Sequence, residues 1–280
     1  MRAFVLLVAV ASAGLALVGC RCSQEPDQAD ARSPSGSEGP SKLKGTGEWV
    51  VTGRQDPVPE PPPPRPDDIA RARGVVPHPT PTTADPAGGS FTLEQATEGL
   101  VGEGDLVAQI NTDLGVLRCR LFEDKAPRTV ANFVGLARGK RPFWDPYRGE
   151  WATRPFYDGL SFDQVVPGLM VRGGGPFGDG SGGPGYELEP EVAADLVHDR
   201  AGVLTTGGSG EASASQFIVL DGPAPHFNGR HSIFGTCTPA SVVYRIARVP
   251  QGAGNRPLTD VVIRSVRIGR IDADAQEEGG

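Results

Sequence analysis

Proline limits what this chain can fold into more than any other residue, and its distribution is uneven. Of 27 prolines, 14 fall between residues 23 and 90. Proline has no backbone N–H to give to a helix or a sheet. A segment this dense in it, with few large apolar side chains, cannot bury enough surface to offset the entropy of ordering it. Pro57 to Pro66, with Pro61–Pro64 consecutive, favours the polyproline II helix and spans roughly 30 Å at about 3.1 Å per residue. The expected layout is a leader over 1–19, a disordered tether over 20–90 and a flexible lead-in over 91–104. One globular domain over 105–270 and a disordered acidic tail over 271–280 follow. About 165 residues suffice for one sizeable core.

The net charge of −7 belongs to the ends of the chain. From Asp105 to Arg270 there are 18 basic and 17 acidic residues. No basic stripe supports nucleic-acid binding, and the acidic ends favour solubility. A monomer is expected.

Met1-Arg2 is a short positive start, and Ala3 to Val18 is an apolar run too short to span a bilayer. It ends in Leu17-Val18-Gly19-Cys20, which resembles the lipobox of bacterial lipoproteins. That resemblance implies cleavage before Cys20 and acylation of its thiol, a membrane anchor of several acyl chains. Arg21 in place of aspartate points to the outer rather than the inner membrane. The domain would then face the periplasm of the cell envelope.

The globular part reads as mainly β. Leu117, Cys119 and Leu121 alternate with Val116, Arg118 and Arg120, a strand with one buried face. Asp105–Asn111, Leu160–Val166, Gly168–Gly173, Val203–Thr206, Gln216–Leu220, Ser232–Thr236 and Val261–Ile268 are further strand-like runs. From Pro127, the apolar positions Val130, Phe133, Val134 and Ala137 follow helical spacing to Gly139, and Ser241–Arg248 reads as a second helix. Many short strands and two helices predict a closed or nearly closed barrel capped by helices.

In order, these segments resemble the cyclophilin family of peptidyl-prolyl isomerases. The resemblance rests on Leu121–Phe133, Phe156–Phe162, Pro167–Gly174, Gly182–Tyr186, Gly202–Leu204, Ser215–Ile218 and Asn228–Gly235. It implies a closed eight-stranded antiparallel barrel with a helix at each end and a groove on its outer face. Prolyl-containing polypeptides would be the partners and isomerisation of X–Pro bonds the activity, with exported proteins as clients. No cofactor or metal is implied.

The resemblance places an apolar slot at Leu169, Met170, Gln216, Ile218, Phe227 and His231, with Phe162 at its entry and Gly207 and Gly208 at a second subsite. Leu169 and Ile218 stand where the family has phenylalanine, Phe227 where it has leucine and His226 where it has tryptophan. The family reads histidine-arginine after Phe162; this chain has Asp163-Gln164. Eight residues on, where the family has glutamine, stands Arg172. Gln164 and Arg172 are therefore the candidate catalytic pair, exchanged in position. A neutral amide donates a weaker hydrogen bond than a guanidinium, which predicts altered or weakened activity. The alternative is a catalytically weak module that binds prolyl peptides as a holdase or scaffold.

Gly178-Asp179-Gly180-Ser181-Gly182-Gly183 fits a nucleotide-loop spacing, but Pro184-Gly185 follows instead of a helix, so it reads as a surface loop. His78, His198, His226 and His231 lack zinc-ligand spacing. Cys119 and Cys237 read as buried thiols, with a disulfide open to an exported protein. The insertion 139–155, which contains Arg141-Pro142-Phe143-Trp144-Asp145-Pro146, could shield the groove or bind clients.

Overall fold

The computed structural model describes residues 80–271. The expected leader, the expected lipidation of Cys20, the expected tether up to residue 79 and the expected tail after Ile271 lie outside the described residues.

The described chain begins as a strap. Thr92 caps α1 (Leu93–Thr97): its hydroxyl accepts from the Gln95 N–H, and the Gln95 side chain accepts from the Thr92 N–H, a reciprocal capping box. Phe91, Leu93 and Ala96 join the apolar core. The folded unit thus begins before Asp105, and part of the lead-in expected to be flexible is ordered, because these side chains find an apolar surface to cover.

A hairpin follows, β1 (Asp105–Thr112) and β2 (Gly115–Leu121), with Leu117, Cys119 and Leu121 inward. Helix α2 (Pro127–Arg138) starts on proline and stops at Gly139, whose φ of 67° is the left-handed conformation that ends helices. Its apolar stripe was expected to bury one face, yet every residue from Thr129 to Ala137 is buried. One side faces the sheet, where Phe133 meets Tyr157, Phe234 and Phe217 at 5.1, 5.3 and 5.9 Å between ring centroids. The strap covers the other: a side chain at Gly135 would meet the Phe91 ring 2.3 Å away.

The insertion forms a small hairpin, β3 (Phe143–Asp145) and β4 (Glu150–Ala152), in which Trp144 lies opposite Trp151. The remaining elements are β5 (Phe162–Val166), β6 (Met170–Gly173), β7 (Val203–Thr206), β8 (Phe217–Leu220), β9 (Ile233–Thr238), α3 (Ala240–Ala247) and β10 (Ile263–Ile271). Val242, Val243 and Ile246 of α3 enter the core.

Eight strands form one antiparallel sheet in the order β10-β1-β2-β9-β7-β8-β6-β5. The fully closed barrel that was expected is not formed by a continuous ladder. The two edges meet only where Leu160–Phe162 faces Val261–Ile263, through a single bridge between Ser161 and Val262 and three backbone hydrogen bonds. Beyond Phe162 a β-bulge inserts Asp163 between the pairs Phe162–Gly173 and Gln164–Arg172. Bulges bend a strand and raise its twist, and β5 and β10 remain the two ends of the strand order. The sheet is a curled half-barrel with α2 and α3 over it.

The cysteine alternatives are decided by register. Cys119 of β2 and Cys237 of β9 are direct partners across the sheet and are joined as a disulfide.

The strap is tied down by charge as well as by packing. Both Asp85 oxygens accept from Arg141, at 2.9 and 2.6 Å, and Arg141 is only 3% exposed. Removing one partner of a buried ion pair strands the other. Asp85→Ala is expected to destabilise the chain by about 3 kcal/mol or more, measured by urea unfolding; a loss below about 1 kcal/mol would show the strap to be ornamental.

Candidate functional site

Period-two alternation sends one set of side chains from β5 to β9 into the core and the other outward. Phe162, Val165, Val171, Leu204, Phe217, Val219 and Phe234 belong to the interior. Met170, Val203, Ile218, Leu220 and Ile233 form a second, separate apolar cluster with Ala224, and Leu169, Val166 and Phe227 pack against it. Four of the expected slot residues, Leu169, Met170, Ile218 and Phe227, therefore come together on the outer face. Phe162 does not join them. It is 1% exposed and meets Phe217 edge-on at 6.2 Å. The bulge falls after it and leaves it on the inner face, so its work is in the core rather than in substrate binding.

Three imidazoles frame the Phe227 ring. His226, His231 and His198 lie 4.5, 4.9 and 5.7 Å from it between centroids. Burial holds the His231 pKa below its ordinary value, against a hydrogen bond to the Thr206 backbone that works the other way; His198, Arg230 and His226 add repulsion. A neutral imidazole is compatible with an apolar wall. His198 is buried, with Nδ1 2.8 Å from Asn228 Oδ1 and Nε2 3.1 Å from Thr205 Oγ1. Its place under the slot has no signature in the sequence, because the bonds that define it come from residues 30 and 7 positions away.

Gln164 and Arg172, the candidate catalytic pair, stand directly opposite each other on β5 and β6, and Arg172 is also the partner of Ile218 on β8. Gln164 is half-buried, and its side chain makes no hydrogen bond among the described residues. The Arg172 stem runs past Gly207, 3.4 Å from where a side chain there would begin. Its Nε donates to Asp163 Oδ1 at 2.7 Å. Its Nη2 lies 2.0 Å from where a Cβ on Gly180 would sit, and Gly180 has a φ of +82°, so only glycine fits there without moving the guanidinium.

Gln216 is 2% exposed, and its amide nitrogen donates to the carbonyls of Gly180 and Gly182 at 2.9 and 3.1 Å. The glycine loop set aside as a surface feature is thereby pinned over the site. Gly207 gives its N–H to the Gln216 carbonyl. Gly208 lies on the rim of a cavity of about 230 Å³, shared with Thr206, Ser209, Arg230, Glu187 and Glu189. The insertion braces this loop from behind: the Trp144 N–H donates to the Pro184 carbonyl, and Arg141 lies over the Tyr186 ring at 4.0 Å.

The arrangement is an apolar slot beside one guanidinium whose terminal nitrogens make no hydrogen bond among the described residues. Residues 107–268 match the family model described as cyclophilin type peptidyl-prolyl cis-trans isomerase/CLD. A peptidyl-prolyl cis-trans isomerase A of Mycobacterium tuberculosis is 39% identical over 165 residues, 58% of this chain and 91% of that protein. A peptidyl-prolyl cis-trans isomerase B of Streptomyces anulatus is 39% identical over 168 residues, 58% of this chain and 96% of that protein. A peptidyl-prolyl cis-trans isomerase of Synechococcus elongatus is 40% identical over 129 residues, 46% of this chain and 77% of that protein.

If the Phe227 ring is what dries the His231 imidazole, proton NMR titration should find His231 below about 6.5 in the unaltered chain and closer to that value in Phe227→Ala. An unchanged midpoint would mean that the ring does not shield it.

Proposed function

Because the chain belongs to the cyclophilin-type peptidyl-prolyl cis-trans isomerases, we propose that its outer groove turns X–Pro bonds with Arg172, rather than a residue at position 164, as the charged donor. Twisting a peptide bond costs about 18–20 kcal/mol because conjugation is lost. X–Pro bonds populate both isomers yet exchange over tens to hundreds of seconds. No nucleophile or cofactor is needed. A slot must hold the proline ring, and a donor must favour the twisted, unconjugated state over both planar ones.

The observation that carries the reading is the register of β6 against β8. Arg172 faces Ile218, a wall of the apolar cluster, so slot and guanidinium are neighbours. Met170, Leu169 and Phe227 hold the ring, and His231 closes the slot as a binding group. Gln164, across from Arg172, adds a neutral donor. Gly207 and Gly208 receive the backbone before the proline, with less side-chain grip than a larger residue would give.

A second reading has its own support. Gln164 stands where the family carries its arginine, and it is an uncharged amide. A chain relying on it alone would bind prolyl peptides and turn them slowly, as a holdase or scaffold.

We place the work at the cell envelope, on exported polypeptides, with the domain held to the membrane by lipid on Cys20. The leader pattern supports this, and so does the Cys119–Cys237 disulfide, since such bonds persist in oxidising compartments.

The test is an isomerase assay on a short X-Pro peptide. Losing one preorganised donor typically costs about 10²–10³ in rate, so Arg172→Ala should lower kcat/KM by roughly that factor while Gln164→Ala changes it only severalfold. Equal activity in the unaltered chain and Arg172→Ala would sink the assignment. A silent chain that becomes active as Gln164→Arg, with peptide binding unchanged, would establish the second reading.

A further inference from the structure

The Arg172 partner is unusual for a group at the edge of a groove. Asp163 is the bulged residue of β5, and its side chain is wholly enclosed, at 0% exposure against 22% for Arg172. One carboxylate oxygen accepts from Arg172 Nε at 2.7 Å, and the other, Oδ2, has no partner among the described residues. Burying a carboxylate is costly, and leaving one oxygen unbonded makes it more so. An uncharged residue between Phe162 and Gln164 would avoid that cost. The ion pair therefore adds little to stability over an apolar filling, and what it does provide is direction. By engaging Nε alone, it fixes the plane of the guanidinium and leaves both terminal nitrogens unbonded.

We propose that Asp163 is a positioning residue for Arg172: its buried carboxylate holds the guanidinium at the groove, beside Gly180, in the orientation that the prolyl bond requires. This rests on the reading of Arg172 as the donor. The groups that face Asp163 are Arg172 from β6, Asp179 from the glycine loop and Arg256 from the segment before β10. Burial raises its pKa, the two arginines oppose that, and Asp179 adds to it. The carboxylate should therefore take up a proton at a higher pH than an ordinary aspartate, and protonation releases Arg172.

The experiment measures kcat/KM against pH by NMR exchange on an X-Pro peptide, using the full chain and its Asp163→Asn, Arg172→Ala and doubly substituted forms. Small misplacement of a catalytic group can cost up to about a hundredfold; Asp163→Asn should lose at least tenfold near neutrality. It should also lack the acid limb expected of the unaltered chain, and it should add nothing to Arg172→Ala. If Arg172→Ala is crippled while Asp163→Asn keeps full activity and the same profile, the positioning role is overturned and Arg172 stands. If Arg172→Ala is as active as the unaltered chain, the donor assignment fails and the positioning role with it. Should Asp163→Asn not fold, the Arg172 Nε–H resonance of the unaltered chain decides. It is expected to exchange slowly and to shift with the carboxylate titration; fast exchange at every pH would overturn the proposal.

Discussion

A β-sheet has two faces, and this one is apolar on both. The inner face is filled by α2, α3 and the aromatic group around Phe133. The outer face has no α-helix over it among the described residues, only the short 3-10 turn Pro225–Phe227. It gathers Met170, Ile218, Leu220 and their neighbours into a second cluster, with Leu169 and Phe227 only partly covered. Apolar surface of this kind that is left partly open is typically a binding site. The groove, the imidazoles around Phe227 and the arginine at its edge all follow from that two-sided apolar pattern.

Charge is arranged around the slot with economy. Within the outer-face sites named here, Arg172 carries the positive charge at the slot wall, and the residue across from it on β5 is a neutral amide. Gln164 and Arg172 face each other across one strand spacing, about 4.8 Å in a typical sheet. An arginine on β6 meets the bulged residue of β5, and here that residue is Asp163. The bulge thus delivers the carboxylate to the guanidinium.

The glycine loop connects this centre to the rest of the molecule. Gln216 holds the loop from below, and the Trp144–Trp151 hairpin and Arg141 brace it from the side. Arg141 is in turn clamped by Asp85 in the strap. The insertion and the strap at Asp85 thus belong to one bonded network.

What the sequence by itself determined is local and periodic. Strand-like runs, one of them with clear period-two alternation, and helical spacing of period 3.6 placed all eight strands of the sheet and both capping helices, and the order of short motifs picked out Leu169, Met170, Ile218 and Phe227, which the fold gathers into one outer cluster. Some of what was missed was also local. Thr92 and Gln95 carry a capping-box signal for α1, and two polar residues in succession, Asp163-Gln164 between Phe162 and Val165, already hinted at a broken alternation. Only the tertiary structure decided the rest. It put Phe162 inside, left the barrel open, paired Cys119 with Cys237, spent the Gln216 amide on the glycine loop and tied Arg172 to Asp163. The physical reason is range. A period is set by neighbours along the chain, whereas Asp85 meets Arg141 across 56 residues and Gln216 meets Gly180 across 36. Such contacts exist only once strands distant in sequence have come into register.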